Sequence, residues 1–276
     1  MLHIAILHTI KGGKYASLIA RELSKFNVKV SMSAWTDFIP LISTYEFPDW
    51  DLIHVRFGGL GASLMLLKAL SEYGYRMVNS AWCVEHSTNK FLGTIIANRK
   101  AGVKTPKTFL IDRRFNLNIL KDLEYPLIAK PLMSHQGRLV AKIDSFQSLK
   151  NYLNTHNENP IILQEFINFV KLIRTVLVGD EIIDAAYDVP KEGWRATVCL
   201  NPNVKKYPIT PELKEFCCKV TKAFGGDILV IDIFETNEGY FFNEINNACN
   251  LYPMQLATGV NHAKSFANYL YKKAKR

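Results

Sequence analysis

A segment near the end of the chain, from Leu229 to Asn247, restricts the fold more than any other stretch. It reads LVIDIFETNEGYFFNEINN, two apolar strands around the turn residues Asn237-Glu238-Gly239. Glycine in the last position of a three-residue hairpin loop accepts the left-handed backbone that the loop requires. This turn predicts that Thr236 pairs with Tyr240 and, counting back, that Asp232 pairs with Glu244.

The same hairpin predicts a cluster of oxygen ligands. Asn246 lies two residues beyond Glu244, so both side chains share one face with Asp232. Burying carboxylates without a counter-charge is unfavourable. An all-oxygen set suits a hard cation such as Mg²⁺. Lysine or arginine partners would neutralise the carboxylates equally well, so the residues alone leave a metal site and a salt bridge both open.

Composition indicates an ordinary globular protein. The chain has 276 residues, of which 48% are hydrophobic and 21% charged. This length corresponds to roughly two domains or one elaborated α/β unit. No apolar run approaches the ~20 residues that span a bilayer, so no membrane segment is predicted. The amino terminus, MLHIAILHTI, has no basic leader and no small-residue cleavage site, and we expect a strand there instead of a signal peptide.

The charge and the cysteine content indicate which partners and which cellular compartment to expect. Thirty-four Lys and Arg against 25 Asp and Glu give a net charge of +9, which favours anionic partners. The basic residues are scattered and form no stripe with interleaved aromatics, so nucleic acid is not an expected partner. The 5 cysteines are odd in number and show neither paired nor zinc-binding spacing. A reduced, cytoplasmic location is therefore expected.

The first third alternates strand and helix patterns. Strands are predicted at 3–7, 28–32, 52–55 and 76–79, with helices at 15–25 and 62–73. Strands separated by helices form parallel βαβ units, so this part predicts a doubly wound α/β sheet. Residues 81–101 read as one long helix that carries Lys90. A break at Thr105-Pro106 then marks a boundary between lobes.

The remaining segments predict strands with polar tips. Residues 126–131 and 139–143 read as a hairpin around Ser134–Arg138, a glycine-bearing loop that could turn backbone N–H groups towards a phosphate. A strand at 161–167, a hairpin around Gly179-Asp180 and helices at 144–154, 211–224 and 265–273 complete the pattern.

These segments, in this order, resemble the ATP-grasp superfamily, and in particular the RimK-type glutamate ligases and the LysX-type enzymes. The resemblance runs from about Asn79 to Val260. It is carried by Lys90 within a helix and by YPLIAKP, SHQGRLVAK, LQEFI, IRTVLVGDEII and VIDIFETNEGYFFNEIN. It implies an α/β ATP-grasp fold with a Rossmann-like domain at 1–80, a central lobe at 81–165 and a C-terminal lobe with the metal site at 166–276. The two α+β lobes would clasp the nucleotide.

The resemblance also implies roles for individual residues. Nucleotide contacts are expected from Lys90 and Lys130, from the mobile loop residues Ser134, His135, Gln136, Gly137 and Arg138, and from the hinge residues Gln164, Glu165, Phe166 and Ile167. Arg174 and Arg195 match catalytic arginines. The Mg²⁺ (or Mn²⁺) ligands are expected to be Asp232, Glu244 and Asn246.

Some positions depart from the family pattern. Leu172 stands where relatives have an acid that is thought to bind ribose. The family's R-x-N segment reads Arg195-Ala196-Thr197 here, and the glycine pair that usually follows is absent. Cys249 falls where relatives shape the acceptor pocket. No histidine lies near it in sequence to activate the thiol, which favours a small pocket-lining residue over a nucleophile.

The function implied by the resemblance is a Mg-ATP-dependent carboxylate–amine ligase that works through an acyl phosphate. The expected substrates are ATP, a small-molecule or carrier-protein carboxylate, and glutamate or another amine. A homo-oligomer is expected. The departures at Leu172 and Thr197 motivate one alternative, an ATP-binding homologue that no longer ligates.

Overall fold

The computed structural model describes residues 1–10, 13–38, 48–132, 139–156, 160–191, 194–196, 198 and 204–276. Within these ranges the chain forms three sheets and eight α-helices. No helix in the described ranges is long and apolar enough to cross a membrane.

The first sheet is parallel, as predicted. Its strands are β1 (Leu2–His8), β2 (Val28–Ala34), β3 (Leu52–Arg56) and β4 (Met77–Val78), in the order β2-β1-β3-β4. Helices α1 (Gly13–Leu23) and α2 (Ala62–Glu72) and a 3₁₀ turn (Trp35–Asp37) also belong to this part of the chain. Every residue of β3 is buried, including His54 and Arg56, as expected of a parallel strand covered on both faces.

The predicted long helix over 81–101 is wrong. The chain forms two helices, α3 (Ala81–Thr88) and α4 (Lys90–Arg99), separated at Asn89. Asn89 has an extended backbone, and its side chain accepts hydrogen bonds from the N–H groups of Phe91 and Leu92 at 3.1 Å each. Asparagine at this position caps the second helix and ends the first. The break makes Lys90 the first residue of α4.

The second sheet is antiparallel. It contains β5 (Thr108–Ile111), β6 (Leu127–Pro131), β7 (Ala141–Ile143) and β8 (Ile161–Glu165), in the order β5-β8-β6-β7. A 3₁₀ turn (Leu117–Leu120) and helix α5 (Phe146–Thr155) lie beside it. The side chain of Ser145 accepts from the N–H of Ser148 and caps α5. The strand expected to reach Ile167 ends at Glu165, which leaves the hinge residues Phe166 and Ile167 outside the sheet.

The third sheet is antiparallel and includes the predicted hairpin at residues 229–247. Its strands are β9 (Lys171–Val178), β10 (Glu181–Asp188), β11 (Lys205–Lys206), β12 (Ile228–Thr236) and β13 (Gly239–Asn246), in the order β11-β10-β9-β12-β13. The helices of this region are α6 (Pro211–Phe224), α7 (Tyr252–Thr258) and α8 (His262–Ala274), of which α7 was not predicted. Helix α6 ends at Gly225, whose φ of 54° is left-handed, the usual glycine stop.

The turn of the late hairpin differs from the prediction. Thr236 pairs with Gly239 and Glu235 with Tyr240, so the loop holds two residues and not three. The ladder then shifts by one residue between Asp232 and Ile233, because Asn243 is an extra residue on β13. This β-bulge restores the predicted pairing of Asp232 with Glu244.

Some helices pack against a sheet that is formed by a different part of the chain. Buried residues of α3 and α4, among them Cys83 and Ile96, share a core with Phe224 and Phe242 of the third sheet's layer. Helix α8 packs into the core that contains α1 and β1, so the end of the chain covers its beginning. The three predicted domain ranges each contain one sheet, and their boundaries stay a prediction.

A buried asparagine connects the first and third sheets. The Asn79 side chain donates to the carbonyl of Ile228 at 2.7 Å and accepts from the N–H groups of Asp227 and Ile228 at 2.7 and 3.0 Å. One side chain therefore satisfies three backbone groups where β12 begins. This fixes the strand that carries Asp232 relative to the leading domain.

Candidate active site

A cavity of about 710 Å³ lies between the second and third sheets. This volume falls within the range of small-molecule sites. All the predicted site residues that the structure describes line it: Lys90, Lys130, Gln164, Glu165, Phe166, Ile167, Arg174, Arg195, Asp232, Glu244 and Asn246. The predicted loop residues Ser134, His135, Gln136, Gly137 and Arg138 lie outside the described residues, as does Thr197.

One row of charged side chains crosses the third sheet. Strand pairing places Arg174 of β9 opposite Asp232 of β12, and Asp232 opposite Glu244 of β13. Directly opposed residues on neighbouring strands share a face and have Cβ atoms about 5 Å apart. The row therefore brings one guanidinium and two carboxylates to the same wall of the cavity.

Arg174 and Asp232 form a bidentate ion pair. Nε donates to Oδ1 at 2.7 Å and Nη2 donates to Oδ2 at 2.6 Å. Both residues are buried, with 6% and 3% of their surfaces exposed. Burial raises the pKa of Asp232, and the charge and hydrogen bonds of Arg174 oppose that rise. Fork-to-fork geometry of this kind fixes the orientation of the carboxylate.

Glu244 interacts with a second cation. Lys90 Nζ lies 3.9 Å from Glu244 Oε2, and Asn246 Nδ2 donates to Glu244 Oε1 at 3.1 Å. Burial raises the pKa of Glu244, but the charge of Lys90 and the hydrogen bond from Asn246 outweigh it and lower that pKa to about 2. Glu244 is therefore ionised at neutral pH.

Lys130 reaches the same point from the second sheet. Its Nζ donates to Asn243 Oδ1 at 3.2 Å, across the gap between β6 and β13. Burial lowers the pKa of Lys130 to about 8. A desolvated ammonium in a cavity interacts strongly with an anion, because little water competes for it.

The hinge residues lie at and just beyond the end of β8. Glu165 makes two hydrogen bonds to Lys107. Its Oε2 accepts from the N–H of Lys107 at 3.0 Å, and its own N–H donates to the Lys107 carbonyl at 2.9 Å. Gln164 is buried and donates to Thr108 Oγ1 at 3.0 Å. Beyond the strand, the backbone groups of Phe166 and Ile167 make no hydrogen bond to another described backbone group. They are available to a heterocycle with donors and acceptors on its edge.

The cavity changes from apolar to charged in the same direction on both walls. Ile128, Leu172 and Phe234 line the part towards the hinge. Each lies two residues before or after a charged residue on its own strand, and these charged neighbours are Lys130, Arg174 and Asp232. Two residues along a strand cover about 7 Å and return to the same face. A ligand with a flat apolar group at one end and several negative charges at the other would fit this arrangement.

Arg195 lies at the rim. It is exposed, and its Nη2 donates to the carbonyl of Val140 at 2.9 Å, which joins the two lobes. Its guanidinium also lies over the ring of Trp194, 4.3 Å from the centroid. The structure thus brings this predicted residue to the cavity, although away from the Arg174 row.

Several lining residues were not predicted. They include Phe169, Asp188, Lys191, Trp194 and Asn243. Asp188 ends β10, whose sequence EIIDAAYD does not alternate strictly between polar and apolar residues and so gave no clear signal for its face. The role of Asn243 depends on the β-bulge, for which the sequence carries no recognisable signal. Cys249 lines the cavity, as expected for a pocket-lining thiol.

The predicted metal ligands can be tested by their chemistry. Each Asp232 oxygen accepts one hydrogen bond from Arg174, and a carboxylate offers about four lone-pair sites, so acceptor capacity remains. Asn246 directs its N–H group to Glu244, which leaves its oxygen for another partner. Two carboxylates and a carboxamide oxygen suit Mg²⁺. The described residues contain no group of three or more His, Cys, Asp or Glu side chains placed to hold a metal ion. Both acids also have a basic neighbour, so the salt-bridge alternative is present in the geometry.

Comparison with solved structures identifies the fold. The RimK domain ATP-grasp protein from Sphaerobacter thermophilus matches with a TM-score of 0.75 over 98% of this chain and 99% of that chain, at 14% identity. The arrangement of sheets is that of an ATP-grasp protein.

Sequence comparison identifies the family. The RimK-like ATP-grasp domain model matches residues 87–270, and the chain belongs to this family. The alpha-aminoadipate–LysW ligase LysX of Saccharolobus solfataricus is 31% identical over 83% of this chain and 86% of its own length. The glutamate–LysW ligase ArgX of Sulfolobus acidocaldarius is 26% identical over 92% of this chain and 93% of its own length.

These findings confirm the predicted family, fold class and type of activity. The protein is an ATP-dependent carbon–nitrogen ligase of the ATP-grasp type. ATP is its nucleotide substrate.

Proposed function

We propose that this ligase joins the amino group of an amino acid to a carboxylate through an acyl phosphate, with Mg-ATP as the phosphoryl donor. The carboxylate would belong to a small molecule or a carrier protein. The LysX and ArgX relatives, whose names specify aminoadipate or glutamate and the LysW protein, support an acidic substrate and a carrier partner. The positive net charge of +9 is compatible with both.

The main support for the proposal is that both walls of the cavity change from apolar to charged in the same direction. Adenine would lie between Ile128, Phe234 and the hinge, and the triphosphate would extend to Lys90, Lys130 and Arg174. Asp232, Glu244 and Asn246 would hold Mg²⁺, which neutralises phosphate charge when bound. Lys90, Lys130 and Arg174 would hold the phosphates in a fixed position for transfer. Phosphoryl transfer depends mostly on such positioning and on charge neutralisation.

Neither of the two chemical steps requires a nucleophilic side chain. A carboxylate oxygen of the substrate forms a bond to the γ-phosphorus, and the bond from that phosphorus to the ADP oxygen breaks. The amine nitrogen then attacks the acyl carbon, and phosphate leaves with the carbon–oxygen bond electrons. The ammonium proton passes to solvent. The lysines and Arg174 offset the charge that develops on the phosphoryl oxygens.

We place the protein in the cytoplasm as a homo-oligomer without nucleic acid as a partner. Among the described cysteines, Cys83, Cys217, Cys218 and Cys249 form no disulfide, in keeping with a reducing compartment.

The test is a screen for ADP release across candidate carboxylates and amino acids, with mass spectrometry of the product. Asp232→Ala and Glu244→Ala are each expected to lower amine-dependent ADP release by at least about a hundredfold, because the triphosphate loses a fixed anchor. The matched control is Glu238→Gln, an exposed acid in the turn of the same hairpin, which should retain full turnover.

Two outcomes would contradict the proposal. Unchanged turnover in both alanine variants would remove the metal assignment. ATP binding without ADP release for any acid and amine would favour the ATP-binding homologue that no longer ligates.

A further inference from the structure

Arg56 joins the leading domain to the wall of the cavity. It is the last residue of β3, and its Nη2 donates to the carbonyl of Cys249 at 2.7 Å. The carbonyl of the next residue, Phe57, accepts from the side chain of Asn247 at 2.8 Å. The segment 248–250 lines the cavity. Two consecutive residues at the end of β3 therefore hold the chain that follows β13.

The segment 248–250 lies at the end of the cavity that is opposite the hinge. Along β12, Phe234 lies on the hinge side of Asp232, and Val230 lies on the other side. Val230 pairs with Asn246, the last residue of β13, from which the chain enters the segment. In the proposed function the base lies at the hinge and the phosphates at the charged row. The carboxylate that attacks the γ-phosphate would then approach from the side of residues 248–250.

The guanidinium of Arg56 is a buried charge without a carboxylate partner. Arg56 is 8% exposed, and no ion pair among the described residues includes it. Burial lowers the pKa of Arg56, and the groups that oppose this shift are the Cys249 thiol and the Tyr15 phenol, not an acid. The guanidinium carbon lies 4.9 Å from the centroid of the Tyr15 ring. Arginine keeps its charge at neutral pH even in such surroundings.

An unpaired buried charge is costly for stability and needs another reason to be retained. A buried charge is normally paired, because taking it out of water costs several kcal/mol. Departures from this rule are expected at functional sites. Little water screens a charge inside the protein, so the field of Arg56 extends to the neighbouring cavity wall. An anion at the segment 248–250 is therefore stabilised from behind that wall.

We propose that Arg56 is a positioning residue for the substrate carboxylate. Its hydrogen bond to Cys249 fixes the segment 248–250, and its unpaired charge makes this end of the cavity selective for an anion. Arg56 acts through this segment and not by contact with the substrate. The inference rests on the proposed function for the identity of the anion.

The first experiment uses Cys249 as a probe of the local charge. Cys249 is half-buried, lines the cavity and forms no disulfide, so a small alkylating reagent can reach its thiol. Iodoacetate and iodoacetamide are similar in size, but only iodoacetate carries a carboxylate. Both lose iodide to the same thiolate, so the fraction of thiolate cancels from the ratio of their rates. This ratio, measured at Cys249 by peptide mass spectrometry, reports the preference for an anion.

Three variants test the charge. Arg56→Met removes the charge and the hydrogen bond, and the iodoacetate-to-iodoacetamide rate ratio is expected to fall by at least about threefold. Arg56→Lys keeps the charge and should retain most of the ratio. The matched control is Arg76→Met, which removes an exposed arginine of the same domain that also donates to a backbone carbonyl, that of Lys273. It should leave the ratio unchanged.

Further measurements separate positioning from a structural role. Arg56→Met should unfold at the same or a higher urea concentration than the wild type, because it removes an unpaired buried charge. Its affinity for ATP with Mg²⁺, measured by calorimetry, should stay within about twofold of the wild type. For the carboxylate that the ADP-release screen identifies, the KM of Arg56→Met should rise by at least about tenfold, with the KM for ATP unchanged.

Three results would overturn the inference. One is an unchanged alkylation ratio in Arg56→Met. Another is a joint loss of stability and of ATP affinity in both Arg56 variants, which would indicate a structural role. The third is an unchanged KM for the carboxylate. If no carboxylate supports ADP release, the proposed function fails, while the alkylation ratio still tests the charge at this wall, so the two failures are distinguishable.

Discussion

Arg174 and Asp232 are the two residues on which the metal assignment depends. Their bidentate pair is buried, so each neutralises a charge that would otherwise be costly inside the protein. A cation bound at Asp232 would provide a second source of positive charge. The ion pair and the metal site are therefore two ways to neutralise the same carboxylate, and they respond differently when the arginine is removed.

Replacing Arg174 by glutamine tests this distinction. The Arg174→Gln variant leaves a buried carboxylate without its guanidinium, and we expect the free energy of unfolding to fall by about 3–5 kcal/mol. Excess Mg²⁺ should restore part of this loss, because a ligand that binds only the folded state stabilises it. The measurement is urea unfolding with and without Mg²⁺.

The control for this prediction is the double variant Arg174→Gln with Asp232→Asn, which removes both charges. Mg²⁺ should not stabilise it. If Mg²⁺ also fails to stabilise Arg174→Gln, Asp232 serves only the salt bridge.

At the scale of the element, the bulge in β13 determines which side chains face the cavity. Two residues of β13, Asn243 and Glu244, oppose the single residue Asp232. Both line the cavity, where Asn243 accepts from Lys130 and Glu244 faces Lys90. A regular two-residue hairpin without the bulge would pair Asp232 with Asn243 and turn Glu244 to the opposite face, since a shift of one residue reverses the face.

The Asn243→Ala variant tests the contact that the bulge creates. Half-buried Lys130 loses its acceptor, and hydrogen bonds to charged groups contribute about 1.5–3 kcal/mol. We expect the free energy of unfolding to fall by about that amount and the affinity for ATP to weaken. Asn243→Asp keeps an acceptor at this position and should retain stability in the same urea titration. Equal stability of Asn243→Ala and the wild type would contradict the role given to this contact.

The break between α3 and α4 at Asn89 is a second feature at the scale of the element. Helices α3 and α4 pack so closely that a Cβ added at Gly93 would lie 3.2 Å from the His86 carbonyl oxygen. The bend at Asn89 and the glycine opposite it together allow this approach. Lys90 therefore begins a helix that points into the cavity region, where it reaches Glu244.

At the scale of the whole molecule, the last helix completes the first domain. Helix α8 covers the leading sheet, and His54 of β3 lies at that contact, with its ring centroid 6.4 Å from that of Phe266. His54 is fully buried and its Nδ1–H donates to the Val78 carbonyl at 2.9 Å. Burial, with a smaller effect of Arg56, lowers the pKa of His54 to about 3.

This shift predicts a loss of stability in mild acid. Between pH 6.5 and pH 3 the unfolded chain binds a proton at His54 that the folded chain does not, so stability falls as the pH falls through this window. The slope from this residue reaches about 1.4 kcal/mol per pH unit, which amounts to about 2 kcal/mol between pH 6.5 and pH 5. The measurement is the free energy of unfolding as a function of pH.

The His54→Asn variant separates this residue from other titrating groups. Its side-chain N–H can still donate to Val78, but it does not titrate, so the variant should show a shallower slope below pH 6.5. The same slope in both proteins would assign the acid sensitivity to other groups.

The motifs of the sequence indicated the family. The local patterns of the sequence determined most of the elements and the parallel first sheet. These follow from local causes: apolar periodicity of two or 3.6 residues, capping residues such as Ser145, and turn residues such as Gly225. The residue types of the site could be named because carboxylates and lysines within apolar strands are costly unless they act together.

Tertiary structure decided what depends on partners far away in the chain. The bulge at Asn243 exists because β13 must pair with β12 while Asn243 meets Lys130, 113 residues earlier. The pairing of Asp232 with Arg174, and the place of Asp188 beside Leu172, follow from the order of strands in the third sheet. Strand order is set by the burial of whole faces against each other, a property of the assembled layers that no local pattern contains.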